Sequence, residues 1–185
     1  MVTKRILKGS TALYPVPAAL ITCSDGNGKK NIVTLAWVGT VCSDPPMVAI
    51  GVRPTRHSYQ MIKDSGEFVV NLPRADQVNE ADYCGMYSGR DVDKFEQTGL
   101  TAIPASQVKA PLIAECPVAL ECKVRQTLSL GSHDVFIGEV VAVQADEDVM
   151  SGQRLDPAKL SPLAYVGGAY WSLGEQVASH GVSRK

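Results

Sequence analysis

The sequence predicts a mainly β protein with a few short helices, arranged as an antiparallel barrel. Three observations carry this. A short run rich in Val and Ile at residues 47–52 is bounded by prolines, and further β-prone runs follow at residues 119–130 and 134–143, which is how buried and half-buried strands read. The last two runs flank Gly131-Ser132-His133-Asp134 and form a long hairpin. Strands and helices do not alternate regularly, which excludes a doubly wound sheet.

In chain order, residues 11–24 lead through prolines into an apolar strand. Asp25-Gly26-Asn27-Gly28 then supplies a tight turn, not a phosphate loop, because it joins two strands instead of preceding a helix. Residues 31–38 read as one strand, with Ile32, Thr34, Ala36 and Val38 on one face and Val33, Leu35 and Trp37 on the other. After the strand at 47–52, Thr55 is positioned to cap a helix that runs to Ser65 and stops at Gly66. Residues 67–72 form a further strand, and Asn71 at its end is expected to turn toward the same region as the helix start. Residues 74–88 read as a helix, with Asp76 a candidate cap, followed by a loop. D-V-D-K-F-E-Q-T-G reads as a short helix ended by Gly99, with Lys94 at an exposed turn. In the tail, Tyr165, Tyr170 and Trp171 sit among glycines at a strand end, where they pack or wall a pocket.

Composition narrows the function classes. A chain of 185 residues is sized for a single domain spanning 1–185, and 45% hydrophobic with 20% charged residues is ordinary for a globular protein. A net charge of -1 offers no attraction to nucleic acid. No run approaches the length of a membrane span and no apolar segment follows the first basic residues, so a cytoplasmic location is expected. Cys23, Cys42, Cys84, Cys116 and Cys122 include no C-x-x-C pair, which argues against a disulfide framework or a zinc ribbon. Cys116 and Cys122 read as lying on one face of one strand, too far apart to bridge.

The chemistry concentrates after the strand at 47–52. Arg53, Arg56 and the Ser58 hydroxyl join the unpaired amides of the helix's first turn, a combination suited to a doubly charged phosphate. Solvated surface charges at these positions are the competing reading.

The order N-x-x-T-x-A-W, C-S-D-P-P-M-V-A-I-G-V-R, R-H-S-Y-x-x-I and S-G-E-F-V-V-N-L resembles the flavin reductase-like proteins, a group that includes the flavoredoxins and binds FMN on a split β-barrel. The later D-K-F and G-S-H-D-V-F-I-G-E-V segments extend the resemblance over about residues 10 to 175. It implies FMN as cofactor, with Arg53 and Ser58 around the phosphate, Tyr59 among the cofactor-binding residues, and Thr34, Ala36 and Trp37 forming the ring slot. Cys42 and Ser43 would bond the ring edge, and Asn71, Lys94 and Phe95 would approach the flavin. His133 would lie by the exposed ring face, orienting NADH or NADPH or donating a proton. The resemblance also implies a homodimer.

Three functions are therefore weighed. The first is an NAD(P)H-dependent flavin reductase-like oxidoreductase, passing a hydride or electrons through bound FMN. The second is a flavoredoxin-like electron carrier reduced by a redox protein partner. The third is a non-enzymatic barrel using its cysteines for metal or redox sensing, which the cysteine spacing disfavours.

Overall fold

The computed structural model describes residues 3–184; the first two residues and the last of the expected 1–185 domain lie outside it. The chain runs β1 (Val16–Pro17), β2 (Ala19–Ser24), β3 (Lys30–Leu35), β4 (Val38–Ser43), β5 (Pro46–Val52), α1 (His57–Ser65) and β6 (Glu67–Leu72). A single 3-10 turn then leads into α2 (Val78–Met86), α3 (Lys94–Thr98), β7 (Ala102–Ile103), β8 (Leu112–Ile113) and the long hairpin of β9 (Val118–Ser129) and β10 (Asp134–Ala145). The tail adds β11 (Met150–Ser151), β12 (Arg154–Leu155), α4 (Pro157–Leu160), β13 (Leu163–Val166) and β14 (Ala169–Ser172). The molecule is mainly β with few helices, as the sequence predicts.

Seven strands form one sheet in the order β3-β2-β6-β9-β10-β5-β4, every described pairing antiparallel. Its two edge strands are consecutive in sequence and joined only by Ala36 and Trp37. Three Cα steps from Leu35 to Val38 reach at most about 11 Å, so the sheet curls until its opposite edges nearly meet. No strand pairing bridges them, and the barrel stays open along that seam.

The seam corrects the expectation of one strand over 31–38. Leu35 pairs with Ala19, whereas Val38 pairs with Ile50 on the other edge, and the chain must leave one ladder before it enters the other. The alternation within β3 holds: Ile32 packs with Leu20, Ala81, Cys84 and Phe95 on one face, and Val33 with Ile21, Ile50, Phe68 and Phe136 on the other. Cys116 and Cys122 also depart from expectation. Cys116 precedes β9 and packs in the cluster of Ile32, while Cys122, inside β9, packs in the cluster of Val33.

Helix α1 ends as the sequence predicts, with Gly66 at φ 67° donating its amide to the Ile62 carbonyl. Its start does not: the cap position is Arg56, with no side chain bonded to the first-turn amides, and Thr55 lies in the preceding turn. For α3, Asp93 is the cap, its carboxylate accepting from the amides of Phe95 and Glu96. The β2–β3 turn forms around Asp25, whose carboxylate accepts from the amides of Asn27 and Lys29.

Candidate functional site

The open seam is where the side chains with chemistry converge. A cleft of about 410 Å³ runs along Thr34, Leu35, Ala36 and Trp37, between Gly51, Arg53 and His133 on one side and Gly85 and Met86 of α2 on the other. A recess of about 220 Å³ adjoins it, lined by Asn31, the start of α1 from Thr55 to Ser58, the loop Ser88, Gly89 and Arg90, and Lys94. Arg53 and Arg56 border both spaces, and the adjoining pair forms a trough.

The recess is built for an anion. The uncapped first turn of α1 presents its amides there, at the positive end of the helix dipole. Arg53, Arg56, Arg90 and Lys94 add four cations, and among the described residues no carboxylate lines the recess. Ser58 is 1% exposed and its Oγ accepts from Asn31 Nδ2 at 2.7 Å, which leaves the hydroxyl proton free to donate. Arg90 donates to the Thr55 carbonyl at 3.0 Å and ties the 88–90 loop to the helix start. Gly89 is required there, since a Cβ would stand 2.1 Å from Asn31 Oδ1.

Lys94 contradicts the sequence expectation of an exposed turn: it is 3% exposed. Its ammonium donates to the carbonyls of Ile32 at 2.7 Å and Cys84 at 2.6 Å, two of its three possible bonds. The third donor is left for the recess. Burial pulls its pKa down from 10.5 to about 8, an effect that the nearby Arg56 reinforces.

Along the larger cleft, Trp37 is 38% exposed and forms a wall, while the Thr34 hydroxyl donates to the Ala81 carbonyl at 2.5 Å, joining β3 to α2. Tyr165 and Tyr170 meet edge to face at 5.6 Å at the far rim, and Tyr170 donates to Asp82 at 3.2 Å. Burial and the Asp82 carboxylate push the Tyr170 phenol up to about 12, so it stays neutral. At the junction of cleft and recess, Arg53 Nε lies 3.4 Å from His133 Nε2. Burial, Arg53 and Arg56 hold the His133 pKa below its ordinary value.

Of the residues singled out from the sequence, Thr34, Ala36, Trp37, Arg53, Ser58, Lys94 and His133 come together in the trough. Five do not line it. Asn71 is buried between strands, its amide donating to the Leu20 carbonyl and Thr22 Oγ1 while its oxygen accepts from the Ile113 amide, so it does not turn toward the helix start. Tyr59 packs in the barrel core against Phe136 and donates to Asp134 at 2.5 Å. Phe95 is core, beneath the Lys30 ammonium. Cys42 and Ser43 sit at the end of β4 away from Trp37, with the Cys42 thiol turned to the Asp44 carbonyl.

Sequence reasoning missed Asn31, Arg90, Asp82, Gly85 and Met86, which border the trough because α2 and the 88–90 loop fold over β3. Ser88-Gly89-Arg90 was the one detectable signal, a small-residue loop ending in a cation.

The cysteines form no second site. All five are free; burial pushes Cys23 and Cys84 up to about 11, Cys122 to about 12 and Cys116 upward as well. Among the described residues no group of three or more His, Cys, Asp or Glu side chains is arranged to hold a metal, and no helix is long and apolar enough to cross a membrane.

Residues 11–174 match the flavin reductase like domain. The chain belongs to the flavin reductase-like family. A flavoredoxin of Desulfovibrio vulgaris (Miyazaki F) shares its fold at a TM-score of 0.92 and 34% identity, covering 99% of this chain and 100% of that one. A flavoredoxin from Methanosarcina acetivorans follows at a TM-score of 0.91 and 30% identity, over 98% of this chain and 97% of its own. An FMN-binding protein from Thermus thermophilus, at 23% identity, a TM-score of 0.80 and coverage of 97% and 99%, shares the flavin reductase-like fold alone.

Proposed function

We propose that this flavin reductase-like protein is an oxidoreductase that binds FMN in the trough, the phosphate in the recess and the ring along Thr34, Ala36 and Trp37. The observation that carries this is the pairing of a cleft walled by Trp37 with a recess containing four cations, uncapped helix amides and the spare donor of a buried lysine. A phosphate monoester at the end of a flat ring matches that division, and the residues present fit the group. The phosphate would be held by Arg53, Arg56, Ser58 and Lys94, with Asn31 orienting the Ser58 hydroxyl so that its proton can point inward. Trp37 and Gly51, whose amide donates to the Trp37 carbonyl at 2.8 Å, set the depth of the slot. Bound FMN supplies hydride and single-electron transfer, so no amino-acid nucleophile is needed. The protein's task is to hold the ring and to keep positive charge near it.

NADH or NADPH is the proposed reductant, approaching the side of the cleft where His133 stands. Absorbance spectra before and after denaturation, with chromatography of what is released, test the cofactor assignment. FMN near one per chain is expected; a colourless protein that takes up no added FMN would refute it.

A second reading, an FMN electron carrier reduced by a protein partner, is favoured by the likeness to two flavoredoxins over nearly the whole chain. Rapid reduction by NADH or NADPH supports the first reading; reduction only by a reduced redox protein supports the second.

We also infer a homodimer working in the cytoplasm. Its support is an apolar groove of about 540 Å³ along β4, β5 and β10, where Trp37, Val41 and Leu130 are 38%, 54% and 65% exposed, together with five unpaired thiols.

A further inference from the structure

We propose that His133 is a positioning residue that acts through Arg53, accepting a hydrogen bond as a neutral imidazole and so aiming the guanidinium into the trough. The inference rests on the proposed flavin site for its purpose, but its geometry stands on the strands alone. Val52 at the end of β5 pairs with Asp134 at the start of β10, and Arg53 and His133 are the residues that adjoin this last pair on the two chains. Arg53 Nε approaches His133 Nε2 at 3.4 Å. An arginine can only donate, so Nε2 is the unprotonated nitrogen. A neutral ring then carries its proton on Nδ1, where Ser132 Oγ accepts it at 2.9 Å.

Both ring nitrogens are thereby engaged, and no proton of His133 points into the cleft. The surroundings favour this state. The charged groups that face the ring are Arg53 and Arg56 from the segment between β5 and α1. The adjoining carboxylate, Asp134, is held by the Tyr59 hydroxyl from α1. Arg53 has no carboxylate within ion-pair distance among the described residues, where the ion pairs are Arg74–Asp148 and Arg125–Glu139. Among the described residues His133 is its one side-chain hydrogen-bond partner, and its terminal nitrogens remain available to an anion. A histidine held in this way sets the direction of a cation and delivers no proton.

The test has two parts. Nitrogen-15 spectra of the histidine ring in flavin-free protein are expected to show His133 neutral with the proton on Nδ1. A proton on Nε2, or an imidazolium near neutral pH, would overturn the proposal. In a double-mutant cycle read by FMN fluorescence, His133→Ala is expected to weaken binding about three- to tenfold, the reach of one hydrogen bond. The double variant with Arg53→Ala should bind no worse than Arg53→Ala alone. His133→Gln, whose amide oxygen can accept from Arg53, should recover most of the loss. Losses that multiply, or a glutamine variant as weak as alanine, would overturn the proposal while wild-type FMN binding stands. Failure of the wild type to take up FMN would instead overturn the flavin reading, leaving the ring tautomer to be judged by the spectra.

Discussion

Lys94 shows how one buried charge shapes the trough. Its folded pKa of about 8 lies below the value of 10.5 for a free lysine, so between those values the unfolded chain holds more protons than the folded one. The stability of flavin-free protein should therefore rise as pH increases from about 8 to 10.5, by up to about 3 kcal/mol. Urea titrations of wild type and Lys94→Met across that range check this; curves that stay parallel would remove Lys94 as the titrating group. Flavin binding has the opposite sign. An FMN phosphate favours the charged ammonium, so affinity should fall as pH rises through about 8, and this fall should be absent in Lys94→Met. At Arg53, loss of a charge-assisted bond predicts that Arg53→Ala weakens FMN by about 1.5 to 3 kcal/mol. Unchanged affinity in a fluorescence titration would take Arg53 out of the site.

At the scale of elements, two features mark the long β9–β10 hairpin. The β9–β10 ladder carries register shifts at Ile137/Gly138 and Val140/Ala142, the extra residue being Arg125 on β9 in the first and Val141 on β10 in the second, and such irregularities bend and twist a strand. Gly138 lies under the Phe68 ring, where a Cβ would come within 2.6 Å. Gly138→Ala should therefore destabilise the protein by about 1 to 3 kcal/mol, the usual cost of overpacking, read as a lowered denaturation midpoint. The second feature is Glu121 on β9, which is fully buried and accepts from the Ser106 and Gln107 amides, Ser106 Oγ and Gln144 Nε2. Replacing it by alanine strands two backbone donors, and a loss of about 2 to 4 kcal/mol is expected. Because this loop lies apart from the trough, FMN affinity in Glu121→Ala should stay at the wild-type value while the urea midpoint falls. The sequence made β9 legible as one arm of a long hairpin, but not the role of Glu121, since a carboxylate in a strand ordinarily faces solvent.

For the whole molecule, the apolar groove on β4, β5 and β10 shares Ala36, Trp37, Gly51 and His133 with the cleft. A second copy covering the groove would also close one side of the proposed flavin slot, so assembly and cofactor binding should be coupled. Val41→Glu places a charge on that face and should convert a dimer to a monomer in light scattering, with weaker FMN retention. A wild-type monomer that holds FMN would disprove the proposed dimer.

The sequence alone determined the strands β2, β5, β6, β9 and β10, where α1 stops, and which cations cluster after β5, because periodicity, glycine and proline act locally. Its alternation also sorted Ile32 and Val33 onto opposite faces correctly. Only the tertiary structure decided that residues 31–38 break at Ala36, since the break follows from the two edges of a seven-stranded sheet meeting. The same holds for burial: Asn71, Tyr59 and Phe95 carry polar or aromatic groups suited to a site, and the long-range partners Ile113, Asp134 and the α2 cluster claim them for structure. Lys94 went the other way, from an apparent surface turn to a buried cation, because α3 packs onto β3 across a sequence distance that no local pattern reports.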